Sequence, residues 1–188
     1  MKRWILRITA FVLLAGGSFL LADGCWIRAK AVLAQILLQN AWEQTVKSGK
    51  PTKAWPWADT WPVARLQVER LGIDLIVLEG ESGEVLAFGP GHLLGSSAPG
   101  SEGHCILAGH RDTSFQFLQS LQQDDIIILD TTAGLTQRYR VMESMVHTAE
   151  DLYFRESASS SLTLITCYPF NTLEADTDLR YLVFTEKS

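Results

Sequence analysis

Leu162-Thr163-Leu164-Ile165-Thr166-Cys167-Tyr168-Pro169 is a short apolar run, rich in β-branched residues, that stops on a thiol. Its length and composition read as a strand. Tyr168-Pro169 ends the ladder, because proline has no N–H to donate, and so leaves Cys167 at a rim. The same pattern occurs upstream, where Cys105-Ile106-Leu107-Ala108-Gly109-His110 closes on an imidazole. Downstream, Arg180 opens a third apolar run, Tyr181-Leu182-Val183-Phe184. Three strand ends that carry a thiol, an imidazole and a guanidinium hold the parts of a cysteine acyl-transfer site. The thiol needs a base or a nearby positive charge to become thiolate, and the tetrahedral intermediate needs a donor for its oxyanion.

Each residue also has an ordinary reading. A free cysteine commonly fills an apolar core. A histidine is often a hydrogen-bonded surface group, and an arginine on a strand is often a solvated edge charge. Three other histidines compete: His92 in a Gly-rich loop, His104 six residues before His110, and His147 near a strand end. Cys105 with His104 and His110 falls short of a compact zinc ligand set, so no metal and no cofactor is expected.

Outward from these runs, strands dominate. Residues 63–69 alternate, 73–78 form an apolar run after Leu71-Gly72, and further strands are expected at 103–109, 125–131, 135–146, 161–167 and 179–185. Residues 84–88 read as a short helix or strand, 115–121 as a helical turn, and 89–103 and 168–178 as loops. This many strands with few helices between them indicate a mainly β fold, an antiparallel sheet or barrel. No internal repeat is evident.

The N-terminus differs. Lys2, Arg3 and Arg7 precede an apolar run at 8–22, shorter than the ~20 residues of a spanning helix. Counting from Trp4, with Arg7 snorkelling, closes the gap. Asp23 breaks the small-residue pattern of a cleavage site, so residues 1–23 are expected to be an uncleaved membrane anchor rather than a removed signal peptide. Residues 26–46 carry apolar positions at helical spacing, and Ser48-Gly49-Lys50-Pro51 ends them. The expected organisation is an anchor at 1–23, a helical stalk and linker at 24–54, and a domain at 55–188. Trp55, Trp57 and Trp61 with Pro56 and Pro62 carry more aromatic surface than a flexible linker, and are expected to dock on the domain or lie at the membrane interface. Removing Lys2, Arg3, Arg7 and Asp23 from 16 basic and 21 acidic residues leaves 13 and 20, a net charge near −7. With no basic cluster, nucleic-acid binding is not expected. Only Cys25, Cys105 and Cys167 occur, so no disulfide framework organises the fold. A single Cys105–Cys167 bridge is compatible with the sequence and would block the chemistry.

Ile106-Leu107-Ala108-Gly109-His110-Arg111-Asp112-Thr113 resembles the histidine motif of the sortases. Residues 162–170 resemble their Thr-Leu-Xaa-Thr-Cys motif, and Arg180 falls where sortases place an arginine. The resemblance spans about residues 61–184, with the motifs in order; His104 departs from the small amide residue expected at its place. Pro56-Trp57-Ala58-Asp59-Thr60-Trp61-Pro62 and the short C-terminus resemble the Gram-negative, marine proteobacterial branch. The resemblance implies an eight-stranded sortase-type β-barrel with short helices, preceded by an N-terminal transmembrane or stalk helix. It implies a membrane-anchored cysteine transpeptidase with Cys167 as nucleophile, His110 as its acid and base, Arg180 on the oxyanion and peptide, and Thr166 lining the substrate groove. The partner it implies is a protein with a C-terminal Leu-Pro-Xaa-Thr-Gly-like (LPXTG-like) sorting signal, cut between Thr and Gly, with an amine as acceptor. The expected location is the cytoplasmic membrane, with the catalytic domain on the periplasmic side. Alternatives are a cysteine endopeptidase using water and a non-catalytic, membrane-tethered peptide-binding β-domain.

Overall fold

The computed structural model describes residues 2–151, 160–172 and 177–188. Among them, the chain begins with helix α1 (Lys2–Ser48) and continues as β1 (Pro62–Val68), β2 (Ile73–Glu79), α2 (Gly83–Leu86), β3 (Gly91–His92), β4 (His104–Ala108), β5 (Ile126–Thr131), β6 (Thr136–Thr148), β7 (Ser161–Cys167) and β8 (Leu179–Lys187). The eight strands close into a barrel in the order β1-β2-β3-β4-β7-β8-β6-β5. The pairs β2·β3 and β4·β7 are parallel and the rest are antiparallel.

Alternation explains the barrel. In β1 every second residue is buried, and Ala64, Leu66 and Val68 are each 0% exposed. They meet Val77, Leu107, Ile127, Leu129, Leu162, Leu164 and Val183 in one core. Truncating such a leucine to alanine typically costs ~2–5 kcal/mol, because the site collapses only partly around the void. The expected strands at 63–69, 73–78, 103–109, 125–131, 135–146, 161–167 and 179–185 correspond to β1, β2, β4, β5, β6, β7 and β8. The eighth, β3, lies inside what reads as a loop. It pairs at only two residues with β2, and Gly91 is required there: a Cβ would sit 2.0 Å from the Gly80 carbonyl oxygen.

The chain divides into two compact units, Met1–Ile36 and Leu37–Ser188. In the second unit the last turns of α1 bury Leu38 and Trp42 against Ile76, Leu78 and Val85. Trp55 packs at the same cluster, so this part of the tryptophan segment docks on the domain. In the first unit α1 carries the run expected as an anchor. Among the described residues, no helix is long and apolar enough to cross a membrane. On this part of α1, Phe11, Leu13, Leu14, Phe19, Leu20 and Leu21 are each 70–73% exposed.

Candidate active site

Cys167 is the last residue of β7, and Arg180 is its direct register partner on β8. Residues directly opposite in an antiparallel pair project from the same face. Leu162 and Leu164 point into the core, so alternation turns Cys167 to the outer face, where it is half-buried. His110 follows β4, which runs parallel to β7 with Ala108 beside Ile165. The Gly109 N–H donates to the Ile165 carbonyl at 3.1 Å. Continuing this register brings His110 alongside Cys167, on an exposed position. The thiol and the guanidinium are thus strand partners, and the imidazole belongs to the adjacent strand end.

Local contacts hold these ends. The Thr166 hydroxyl donates to the Gly109 carbonyl at 2.7 Å, which ties β7 to β4 one residue before both Cys167 and His110. Thr166 is 3% exposed and lies on the face opposite Cys167. The next turn is closed by Phe115 N–H to the His110 carbonyl at 2.9 Å. Gly109 permits it, since a Cβ there would lie 2.7 Å from the Phe115 ring and 2.9 Å from Ser114 Oγ. His110 is exposed while its neighbour Arg111 is buried, with Nε 3.4 Å from Asp112 Oδ2. Across the site, Thr177 Oγ1 donates to the Tyr168 carbonyl at 2.6 Å, and Tyr168 N–H donates to the Leu179 carbonyl. Arg180 Nη1 donates to the carbonyls of Thr177 at 2.6 Å and Leu179 at 3.0 Å, which sets the fork's direction. Tyr168, Phe170 and Tyr181 form a ring cluster beside the thiol strand, with Phe170 and Tyr181 centroids 5.2 Å apart.

The competing residues lie elsewhere, with one exception. His92 is buried, with Nδ1 3.4 Å from Glu79 Oε2 and Nε2 3.1 Å from the Ser97 carbonyl. His104 meets Thr163 Oγ1 at 2.8 Å, near the other end of β4. No metal-binding group forms among the described residues. All three cysteines are free. Cys105 pairs with Leu162, five residues before Cys167. At ~3.3 Å per residue that is roughly 16 Å, beyond the ~7 Å a disulfide spans. The exception is His147 on β6, the direct partner of Arg180. Cys167, Arg180 and His147 form one row across β7, β8 and β6, a proximity that spacing along the chain does not reveal. Thr177 was equally hidden, since one threonine in a polar loop carries no signal.

A family profile described as the sortase domain matches residues 66–188. The chain belongs to the sortase family. Sortase D of Bacillus subtilis (strain 168) is 27% identical to this sortase over 124 residues, covering 65% of this chain and 62% of the relative. Sortase A from Corynebacterium diphtheriae superposes with a TM-score of 0.63 at 27% identity, over 70% of this chain and 63% of that one. The matches therefore span just under two thirds of these two relatives. A sortase D5 transpeptidase from Clostridium perfringens superposes with a TM-score of 0.67 at 20% identity, over 84% of this chain and 99% of that one, a likeness of fold.

Proposed function

We propose that this sortase is a cysteine transpeptidase that cuts an LPXTG-like sorting signal between Thr and Gly and passes the acyl group to an amine. The observation that carries the reading is the register pair Cys167–Arg180 with His110 at the adjoining strand end. The Cys167 thiolate attacks the threonine carbonyl carbon. A C–S bond forms, and the carbonyl electron pair moves to oxygen, where Arg180 donates to it. When the oxyanion collapses, the C–N bond breaks and His110 protonates the departing glycine amine. The product is a thioester. An acceptor amine then attacks it and forms a new amide, the thiolate leaves, and the surplus amine proton returns to His110. Water in place of the amine gives hydrolysis. In this reading Thr166 positions the two strand ends rather than touching substrate, because its hydroxyl is held by Gly109.

The N-terminal helix serves as the membrane tether in this proposal, with the barrel on the exported, periplasmic side of a Gram-negative envelope. The basic flank Lys2, Arg3 and Arg7 and the exposed side chains of Phe11, Leu13, Leu14, Phe19, Leu20 and Leu21 support it. The likeness of residues 56–62 to that branch supports the envelope type. Carbonate extraction of membranes tests the tether: recovery in the soluble fraction would overturn it. The chemistry is tested by mass spectrometry of the enzyme with an LPXTG-type peptide and an amine. A thioester on Cys167 and a ligated product, both missing in Cys167→Ala, are expected. Hydrolysis alone in the presence of amine would favour a protease, and binding without an adduct would favour a peptide-binding domain.

A further inference from the structure

The docked tryptophan segment leaves a cavity of about 370 Å³ between residues 55–60 and the region of α2. It is at the small end of ligand-sized cavities, roughly 300–1,000 Å³. None of its lining residues belongs to the strand ends that carry Cys167, His110 and Arg180. Its walls are aromatic: Trp55 and Phe88 meet edge to face with centroids 4.8 Å apart. Trp57 lines the same space with 80% of its surface open to solvent. Val85, 6% exposed, adds an apolar wall.

The polar groups decide what such a space accepts. The Thr60 hydroxyl is committed to the Glu79 carbonyl at 2.7 Å. The Ser82 hydroxyl caps Val85 N–H at 3.3 Å. Two carboxylates remain, Asp59 and Glu84, both exposed, and no lysine or arginine lines the cavity. Indole faces and carboxylates both attract a positive charge, the former through the ring quadrupole. A phosphate or carboxylate ligand would meet like charge. A wholly apolar ligand would leave both carboxylates unpaired. Aromatic walls offer a metal ion too few oxygens.

We propose that this cavity is a docking site for a basic side chain of a partner polypeptide, its methylene stem between the aromatic rings and its cationic head at Asp59 and Glu84. A long basic side chain matches the site because it is apolar along its stem and charged only at its tip. The inference does not depend on the transpeptidase reading, since it uses none of those residues.

The test uses the full chain in detergent, with ¹⁵N-labelled tryptophan so that the indole N–H signals are resolved. A blocked lysine peptide and its norleucine counterpart are titrated separately, each at low and high salt. The lysine peptide is expected to shift the Trp55 and Trp57 signals saturably and less strongly at high salt. Binding should weaken roughly two- to fivefold for each cationic contact removed, both with norleucine and in the Asp59→Asn/Glu84→Gln variant. Trp57→Ala should weaken it similarly; all three positions are exposed, so folding is not at stake. Equal binding of norleucine would make the cavity a plain apolar groove and overturn the proposal. Absence of any shift with lysine would also overturn it. Phosphoethanolamine binding more tightly than the lysine peptide would reassign the site to a lipid headgroup.

Discussion

The two ends of β4 and β7 carry similar residues in different physical states. At one end Cys105 lies 2% exposed in the core, with His92 and His104 nearby and already hydrogen-bonded. Burial, aided by the Glu79 carboxylate, pushes the Cys105 thiol up to about 12, so it stays protonated and inert. At the other end Cys167 is half-buried on the outer face, opposite a guanidinium and beside an exposed imidazole. Cysteine and histidine in proximity therefore do not make a reactive site. On the proposed reading, reactivity needs a strand that stops at the rim, so that the side chain leaves the core, and a positive partner in register.

The largest test of this contrast exchanges the two thiols. Cys167→Ala is expected to remove essentially all thioester formation, whereas Cys105→Ala should retain turnover and lose only stability, on the order of 1 kcal/mol. In a Cys25→Ser background, iodoacetamide at neutral pH should label Cys167 and spare Cys105, as peptide mass mapping would read. Labelling of Cys105 in the native protein would break the comparison.

Next in size is Arg180. If its fork serves the oxyanion, Arg180→Gln should lower kcat by ~10²–10³, with little change in thermal stability. His147→Ala, on the far side of Arg180 in the same row, should be milder than either. A rate loss at His147 as large as that at Arg180 would mean that the row, rather than the Cys167–Arg180 pair, is the functional unit.

Gly109→Ala probes how the rim is held. The added methyl meets the Phe115 ring at 2.7 Å, and such overpacking typically costs ~1–3 kcal/mol. Because the turn also carries His110, kcat should fall along with the melting temperature. Thr166→Val removes the hydroxyl that donates to Gly109 and should cost about 1 kcal/mol. Unaltered turnover in both variants would show that the strand ends need no such clamp.

How much of this was legible depends on the range of the interaction. Seven strands could be read because alternation and short apolar runs are local signals: Ala64, Leu66 and Val68 announce β1 without any partner. β3 could not, since its two residues become a strand only when Gly91 slips against Gly80. The reach of α1 was legible only in part: the anchor at 1–23 and the helical spacing at 26–46 were read as separate stretches, whereas α1 runs through both as Lys2–Ser48. At the candidate site, the motifs pointed to Cys167, His110 and Arg180, but not to how their strand ends meet. The pairing of β4 with β7 joins residues more than fifty positions apart. The inward turn of Thr166 and the alignment of His147 with Arg180 follow from that pairing and from strand parity, which spacing alone does not specify.

A pH effect, read on stability and not on turnover, completes the contrast between the two thiols. The Cys105 thiol is raised from 9.0 to about 12 by burial, and the Tyr139 hydroxyl from 10.0 to about 12, also chiefly by burial. Both groups keep their protons in the folded state at pH values where the unfolded chain has released them. The unfolded state therefore binds fewer protons between about pH 9 and 12, and stability falls as pH rises through that window. Well below pH 9 neither group contributes a slope. Denaturant midpoints measured from pH 8 to 11 should decline, and Cys105→Ala should flatten the part of the decline that begins near pH 9. Removing one such proton site changes the slope by at most ~1.4 kcal/mol per pH unit. An unchanged slope in Cys105→Ala would mean that this thiol ionises as easily inside the barrel as outside it, and the distinction between the two ends would then rest on position alone.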